Sequence, residues 1–310
     1  MAEMDNQAGN ASGTAQRAPT QASTRCFAKI NLGLHVLERL DNGYHRIETG
    51  YAFIEWSDRL SAEVSDRIHL DINGTMATDH IPTDERNLVL KACRAFEKKI
   101  GLKRPYQFRL EKEIPSGAGL GGGSANAAAA FRLLNTLEQA NLSTEELIEL
   151  SRPIGSDIGL FLRAEPGLAT GLGVDTEPME IQPDAWIVTV WPGFESPTAE
   201  AYQNCTPEPY PVLPLRTVLL EEPLEEWPVY LTNDLEPPVI AMYDMVGLMK
   251  EQLYEFGADY ASMSGSGSSV YGIFEQDFVA LHAYESIRNL GYQANLTRPS
   301  FIPDLRILTD

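Results

Sequence analysis

Between Pro115 and Ala130 the chain reads PSGAGLGGGSANAAAA, with five glycines among the seven residues 117–123. Glycine tolerates backbone conformations and close approaches that a Cβ blocks, so such a loop can turn several N–H groups toward one point. A helix opening at about Ser124 adds its free amides and the positive end of its dipole to the same spot. The group that suits this arrangement is phosphate. Elsewhere lie a lysine on a strand-like segment, Lys29, an aspartate in the tight turn Gly155-Ser156-Asp157, and a second glycine–serine loop, SMSGSGSSVYGIF, at Ser262–Phe274. Together these are what phosphoryl transfer requires, namely positioning and charge stabilisation with little covalent chemistry.

Other readings of the first loop are weaker. Gly117, Gly119 and Gly122 form a GxGxxG pattern, which by itself is a poor sign of a dinucleotide site. It lies more than a hundred residues in, after YQFRLEKEI, which alternates polar and apolar residues where a buried parallel strand would be continuously apolar. A GxxxxGK[ST] loop is excluded because no lysine follows the glycines. A flexible turn ahead of a helix is the plain alternative, and five glycines make it entropically costly.

The elements that must position these groups follow from periodicity. From Arg25 to Leu37, Ala28, Ile30, Leu32 and Leu34 fall on one face and Lys29 and Asn31 on the other, which predicts a strand with a polar face. Asp41-Asn42-Gly43 turns the chain into a returning strand from Tyr44 to Trp56, so this sheet edge is antiparallel. Leu88, Ala92 and Phe96 predict a helix over 84–99, and Ser143 to Glu146 form a capping box that opens another, closed by Pro153. AWIVTVWPG reads as a buried strand, 206–228 as irregular connection with a helical turn, and Asn233 or Asp234 as a structural cap on a helix running to about Phe256. The stretch 176–184 is the expected boundary between two lobes, 25–180 and 181–310.

With 44 acidic and 24 basic residues the net charge is −20. Nucleic acid is not an expected partner, since phosphate neutralisation needs clustered Lys and Arg. An anionic substrate must be met by local amides and a few cations, and the acidic excess is read as serving solubility, as in a salty cytoplasm that screens self-repulsion. Cys26, Cys93 and Cys205 are odd in number and far apart, which predicts reduced thiols in a cytoplasmic protein, with no disulfide and no zinc site. No run approaches the ~18 apolar residues of a membrane span, and residues 1–24 lack the apolar core of a secretory signal and read as a disordered tail, with a cleavable organelle segment as the alternative.

The ordered series FAKINLGL, DNGYH, IPSGAGLGGGSANAA, IGSDIGLF, PGFESPTAEAY, TNDLE and SGSGSSVYGIF resembles the bacterial and plastid 4-diphosphocytidyl-2-C-methyl-D-erythritol kinases, members of the GHMP superfamily. The likeness runs from about Arg25 to beyond Phe274. It implies an α+β, two-domain GHMP kinase fold: an N-terminal ribosomal-protein-S5-like α/β domain with a left-handed crossover, a C-terminal α+β domain, and the active site in the cleft between. It implies ATP with Mg2+ as cofactors, a small cytidine diphosphate-linked substrate, and a monomer or homodimer with no membrane or nucleic-acid partner. Residue by residue, it implies Lys29 and Asp157 as the catalytic pair, and Pro115, Gly117, Gly119, Gly121, Gly122, Gly123 and Ser124 on the ATP phosphates. Asn87 and Lys112 match adenine contacts. Asn31, Tyr44, His45, Thr198 and Tyr202 match substrate contacts, the cytosine lying between aromatic rings. The plain alternatives are a surface ion for Lys29, a helix N-cap for Asp157 and a decorated hairpin for Tyr44 and His45. Two departures stand out: Ala125 replaces a serine, removing a hydroxyl from the supposed phosphate or metal site, and Gly159 replaces a proline in the Asp157 turn. The implied reaction is ATP-dependent phosphorylation of the 2-hydroxyl of the cytidyl substrate in the methylerythritol phosphate route to isoprenoid precursors. A sister small-alcohol kinase and an inert nucleotide-binding homologue are the rivals.

Overall fold

The structure, a computed structural model, describes residues 19–101 and 104–310. In the N-terminal half the order is β1 (Gln21–Arg39), β2 (His45–Val64), β3 (His69–Asn73), α1 (Leu88–Ile100), β4 (Tyr106–Glu111), α2 (Gly122–Leu137), α3 (Thr144–Ser151), α4 (Ile158–Arg163), β5 (Gly167–Gly171) and β6 (Asp175–Pro178). The second half runs β7 (Trp186–Trp191), α5 (Thr198–Gln203), α6 (Leu215–Glu221), α7 (Trp227–Tyr230), α8 (Glu236–Met242), α9 (Asp244–Glu255), β8 (Tyr260–Met263), β9 (Val270–Phe274), α10 (Asp277–Asn289), β10 (Gln293–Thr297) and β11 (Leu308–Thr309).

Two long antiparallel strands organise the first lobe. β2 pairs with β1 along its length, with β4 through Arg59–Val64 and with β5 through Ile47–Tyr51, and β3 joins β4 in parallel. Both faces of this sheet are covered. On one, α1, α2, α3 and α4 build a core with Phe53, Tyr106 and Phe108. The row Ala127–Ala130 is buried, and a helical stretch that is apolar all round, with only methyl groups, belongs in the interior, where it lies close on the sheet. On the other face Ala28, Ile30 and Leu32 meet Ile187, Tyr271 and Ile273, so a shared apolar core joins the lobes. Lys29 and Asn31, between those apolar residues, are left for the cleft. The second lobe is a four-stranded sheet in the order β10-β7-β9-β8, with Leu253 of α9 and Ile287 of α10 in its core.

The structure corrects several expectations. Residues 1–18 of the proposed 1–24 tail lie outside the described residues, but Gln21–Thr24 belong to β1, because they pair with Leu60–Glu63 of β2 and Ala22 and Ser23 also pair with β11. That pairing returns the chain's end to the first sheet. Residues 176–184 are not wholly a linker, since β6 pairs with β5 up to Pro178. The helix expected to run to Phe256 is two, broken at Tyr243, and neither Asn233 nor Asp234 is its N-cap; Leu235 is. Asn233 instead donates to the carbonyls of Met263 and Gly265, both at 2.8 Å, while Asp234 accepts from the Val36 amide at 2.8 Å. Gly159 lies inside α4 and not in the turn before it.

Candidate active site

A cleft of about 1430 Å³ is lined by residues of β1, the hairpin after it, the glycine loop, the Asp157 turn, α5 and the second glycine–serine loop. All sixteen residues singled out from the sequence line it. Their placement follows from local structure.

The glycine loop enters α2 at Gly122, two residues before the expected start, with Gly121 at the N-cap in the left-handed region, φ 70°. Gly119 has φ 77°, and a Cβ there would drive into the carbonyl oxygen of Ser264 and stand 3.0 Å from its carbon. The first loop thus lies directly on the second. The Ser264 hydroxyl donates to the Gly119 carbonyl at 2.9 Å and accepts from the Asn31 amide at 3.2 Å, which ties both loops to β1. Gly123, by contrast, is exposed and has room for a methyl, with Leu88 Cδ1 in ordinary contact at 3.6 Å from a built Cβ. Ala125 is buried in the first-lobe core, so its position points away from the cleft and the serine it replaces would not have reached a phosphate or metal from there.

Lys29 is only 5 % exposed. Its ammonium donates to the Asn31 side-chain oxygen and, at 3.0 Å, to the Gly119 carbonyl, so it is no surface ion. Burial pulls its pKa below the ordinary lysine value, and the Asp157 carboxylate acts to raise it again. Asn31 is oriented in turn by Thr49, whose hydroxyl accepts from its amide at 2.9 Å. Asp157 occupies the N-cap position of α4, yet its side chain makes no capping hydrogen bond; one of its oxygens accepts from the Ser156 hydroxyl at 3.2 Å. The carboxylate is the only one among the described cleft-lining residues.

At the far end His45 and Tyr202 stack with centroids 5.1 Å apart and planes at 24°. No base fits between them without separating them, since a sandwiched ring needs a stacking separation on each side, about 7 Å in all. Tyr44, next in sequence to His45, is 65 % exposed on the hairpin tip and lines the same cleft. Burial, and then the charge of Arg39, pull the His45 imidazole below its usual pKa, so it is neutral at pH 7 and can both donate and accept. Thr198 shares the α5 face of Tyr202 one turn away and hydrogen-bonds the Ser266 hydroxyl at 2.8 Å.

Asn87 and Lys112 line the cleft with most of their polar capacity already engaged. Asn87 is the N-cap of α1, accepting from the Val89 amide at 2.9 Å and donating to the Pro82 carbonyl at 2.7 Å. Lys112 is buried against Asp58 at 2.7 Å and also donates to the Ile114 carbonyl, while Asp58 accepts from Glu113, Ile114 and Asn126. Breaking such a pair from one side strands a buried charge. Lys112→Met is therefore expected to cost about 3 kcal/mol of unfolding free energy, measured by urea denaturation; a loss below about 1 kcal/mol would show that Asp58 is satisfied without the lysine.

Sequence reasoning missed Thr49, Arg39 and the individual serines of the second loop. The loop's composition was a usable signal for Ser264 and Ser266. Thr49 had none, because its hydroxyl reaches Asn31 through a β1–β2 register interrupted by irregularities.

The chain matches the family model described as GHMP kinases N terminal domain over 87–162 and that described as GHMP kinases C terminal over 217–293. It is 37 % identical to the 4-diphosphocytidyl-2-C-methyl-D-erythritol kinase of Chlorobium phaeobacteroides, over 90 % of this chain and 95 % of that one. It is 38 % identical to the enzyme of the same name from Salinibacter ruber, over 84 % and 93 %. Among solved structures it resembles a crystal structure of 4-(cytidine 5'-diphospho)-2C-methyl-D-erythritol kinase, with TM-score 0.74 and 31 % identity over 90 % of this chain and all of that one. A homoserine kinase from Cytophaga hutchinsonii shares the fold, with TM-score 0.65 and 14 % identity over 95 % and 99 %.

Proposed function

Because the chain belongs to the GHMP kinases and, within them, to the 4-diphosphocytidyl-2-C-methyl-D-erythritol kinases, we propose that it transfers the γ-phosphoryl group of ATP to the 2-hydroxyl of 4-diphosphocytidyl-2-C-methyl-D-erythritol. The observation that carries this reading is Asp157, the one carboxylate in the described cleft lining, beside Lys29 and unused by the helix it begins. In this assignment the ATP phosphates lie on the free amides of α2 and the glycine loop. Asp157 orients the substrate hydroxyl in line with the γ-phosphate. An alcohol is too weak an acid to be deprotonated beforehand, so the carboxylate accepts the proton late, as the oxygen–phosphorus bond forms and the bond to ADP breaks. Lys29 offsets charge on the transferring group.

No covalent phosphoenzyme belongs to this scheme: Cys26 and Cys93 are buried with thiols pushed up to about 12, and His45 is engaged with Tyr202. The Mg2+ that accompanies ATP fits the donor set, because Mg2+ takes most of its oxygens from phosphates and water and needs one or two protein oxygens. The Asp157 carboxylate and Ser124 hydroxyl are the residues that would hold it, and when bound it neutralises phosphate charge. Among the described residues no group of three or more His, Cys, Asp or Glu forms a protein-held metal site, and no helix is long and apolar enough to cross a membrane. The reading places the enzyme in the cytoplasm, as a monomer or homodimer.

The test is ADP release from Mg-ATP with the cytidyl substrate, run against homoserine and mevalonate and with cytidine nucleotides as competitors. Turnover with the cytidyl substrate alone, inhibited by cytidine diphosphate, is expected. Turnover with another alcohol and no cytidine inhibition would make it a sister kinase, and none with any acceptor, despite ATP binding, would make it an inert homologue.

A further inference from the structure

The cleft is charged in the opposite sense to the chain. Its described lining holds five cations, Lys29, Arg39, Arg86, Lys112 and Arg152, against the single carboxylate Asp157, in a sequence of net charge −20. Four of the five are committed. Lys29 is bonded to Asn31 and Gly119, and Lys112 to Asp58. Arg86 is held by Asp84 at 2.9 Å and Arg152 by Glu149 at 2.9 Å. The Arg39 side chain has no hydrogen bond or salt bridge among the described residues. Its neighbour Glu38 is taken by Arg46 at 3.3 Å.

Arg39 ends β1 directly across the ladder from His45, whose ring stacks on Tyr202. It therefore stands at the aromatic end of the cleft, away from the α2 amides that would serve ATP. The substrate of the proposed reaction carries a base at one end, the reacting hydroxyl at the other and a diphosphate between them. In so negative a chain that diphosphate needs its own cation, and a guanidinium free of any carboxylate presents its fork of N–H groups without having to break a bond first.

We propose that Arg39 binds the diphosphate of the cytidyl substrate and so selects a nucleoside diphosphate ester over an uncharged nucleoside. This assignment rests on the proposed reaction. A charge-assisted hydrogen bond at an exposed site carries roughly a tenfold change in affinity.

The test is steady-state kinetics of the wild type, Arg39→Gln and Arg39→Lys with ATP and the cytidyl substrate varied in turn, together with inhibition constants for cytidine diphosphate and cytidine. Arg39→Gln is expected to raise KM for the cytidyl substrate about tenfold, leave KM for ATP within about twofold, and bring the two inhibition constants together, with Arg39→Lys recovering part of each effect. The unchanged ATP constant also shows that the variant is folded, and the side chain's exposure makes a folding defect no concern. If the wild type turns over the substrate but Arg39→Gln keeps both KM and the preference for cytidine diphosphate, the assignment is wrong and the reaction stands. An equal rise in KM for ATP would overturn it in favour of a role at the other nucleotide. A wild type that neither turns over the substrate nor binds cytidine diphosphate would remove the reaction and Arg39's role together.

Discussion

Asp157→Asn is expected to lower kcat by about 100-fold or more while leaving the protein as stable as the wild type within about 0.5 kcal/mol. The two halves of this result separate the rival accounts of the residue. An aspartate that merely caps a helix would show its worth in stability, on the order of 1 kcal/mol, and nothing in turnover. Here the side chain makes no capping bond, so its loss removes no helix contact, whereas an amide cannot accept the proton of the attacking hydroxyl. KM for ATP should change little, since the interaction lost belongs to the transition state. The pH profile gives a second reading of the same variant. Burial already lowers the pKa of Lys29, and the charge of Asp157 opposes that effect. With the charge gone, the ammonium loses its proton at a lower pH, so the alkaline limb of the residual activity should move toward neutrality. A kcat within a few-fold of wild type would dismiss Asp157 as the base.

The sequence was most informative where one residue type has one physical use. Glycines packed five in seven announced an amide-lined loop, and alternation along β1 put Lys29 and Asn31 on the face opposite Ala28, Ile30 and Leu32, where the structure has them. It was least informative where function is made by contact between distant segments. Asn233 looked like a cap because Asn often is one; only the approach of β8 and the loop after it gives its amide two carbonyls to hold. The start of β1 was hidden for a related reason, as the polar residues Gln21–Thr24 resemble a tail until β2 and β11 flank them. Ala125 follows the glycine loop directly, and only the packing of α2 on the sheet shows that its position faces the core. Local pattern located the chemistry, and register and packing decided which side chains reach it.

Gly119→Ala and Gly123→Ala should fail in opposite ways, and the contrast locates the ATP phosphates. At 119 a methyl group meets the backbone of Ser264, which cannot move like a side chain, and the φ of 77° is itself unfavourable for alanine. The loop must shift by something like an ångström, which moves Gly119's carbonyl away from Lys29 and Ser264. Misplacement of that size costs about 100-fold in rate, so Gly119→Ala should lose about that much in kcat/KM for ATP and lower Tm as well. At 123 an added methyl makes only an ordinary contact with Leu88 and the residue lies in the first turn of α2, where alanine is the better helix former. Gly123→Ala should thus gain up to about 0.5–1 kcal/mol in stability. If phosphates approach that amide, the same methyl stands between it and them, and KM for ATP should rise about tenfold in the more stable protein. Within the chain the methyl meets only Leu88, at an ordinary contact distance of 3.6 Å and without a clash, so a weaker hold on ATP in a more stable protein points to the phosphates. Differential scanning calorimetry together with ATP-dependent kinetics reads both quantities, and an unchanged KM for ATP in Gly123→Ala would move the phosphates off this turn of the helix.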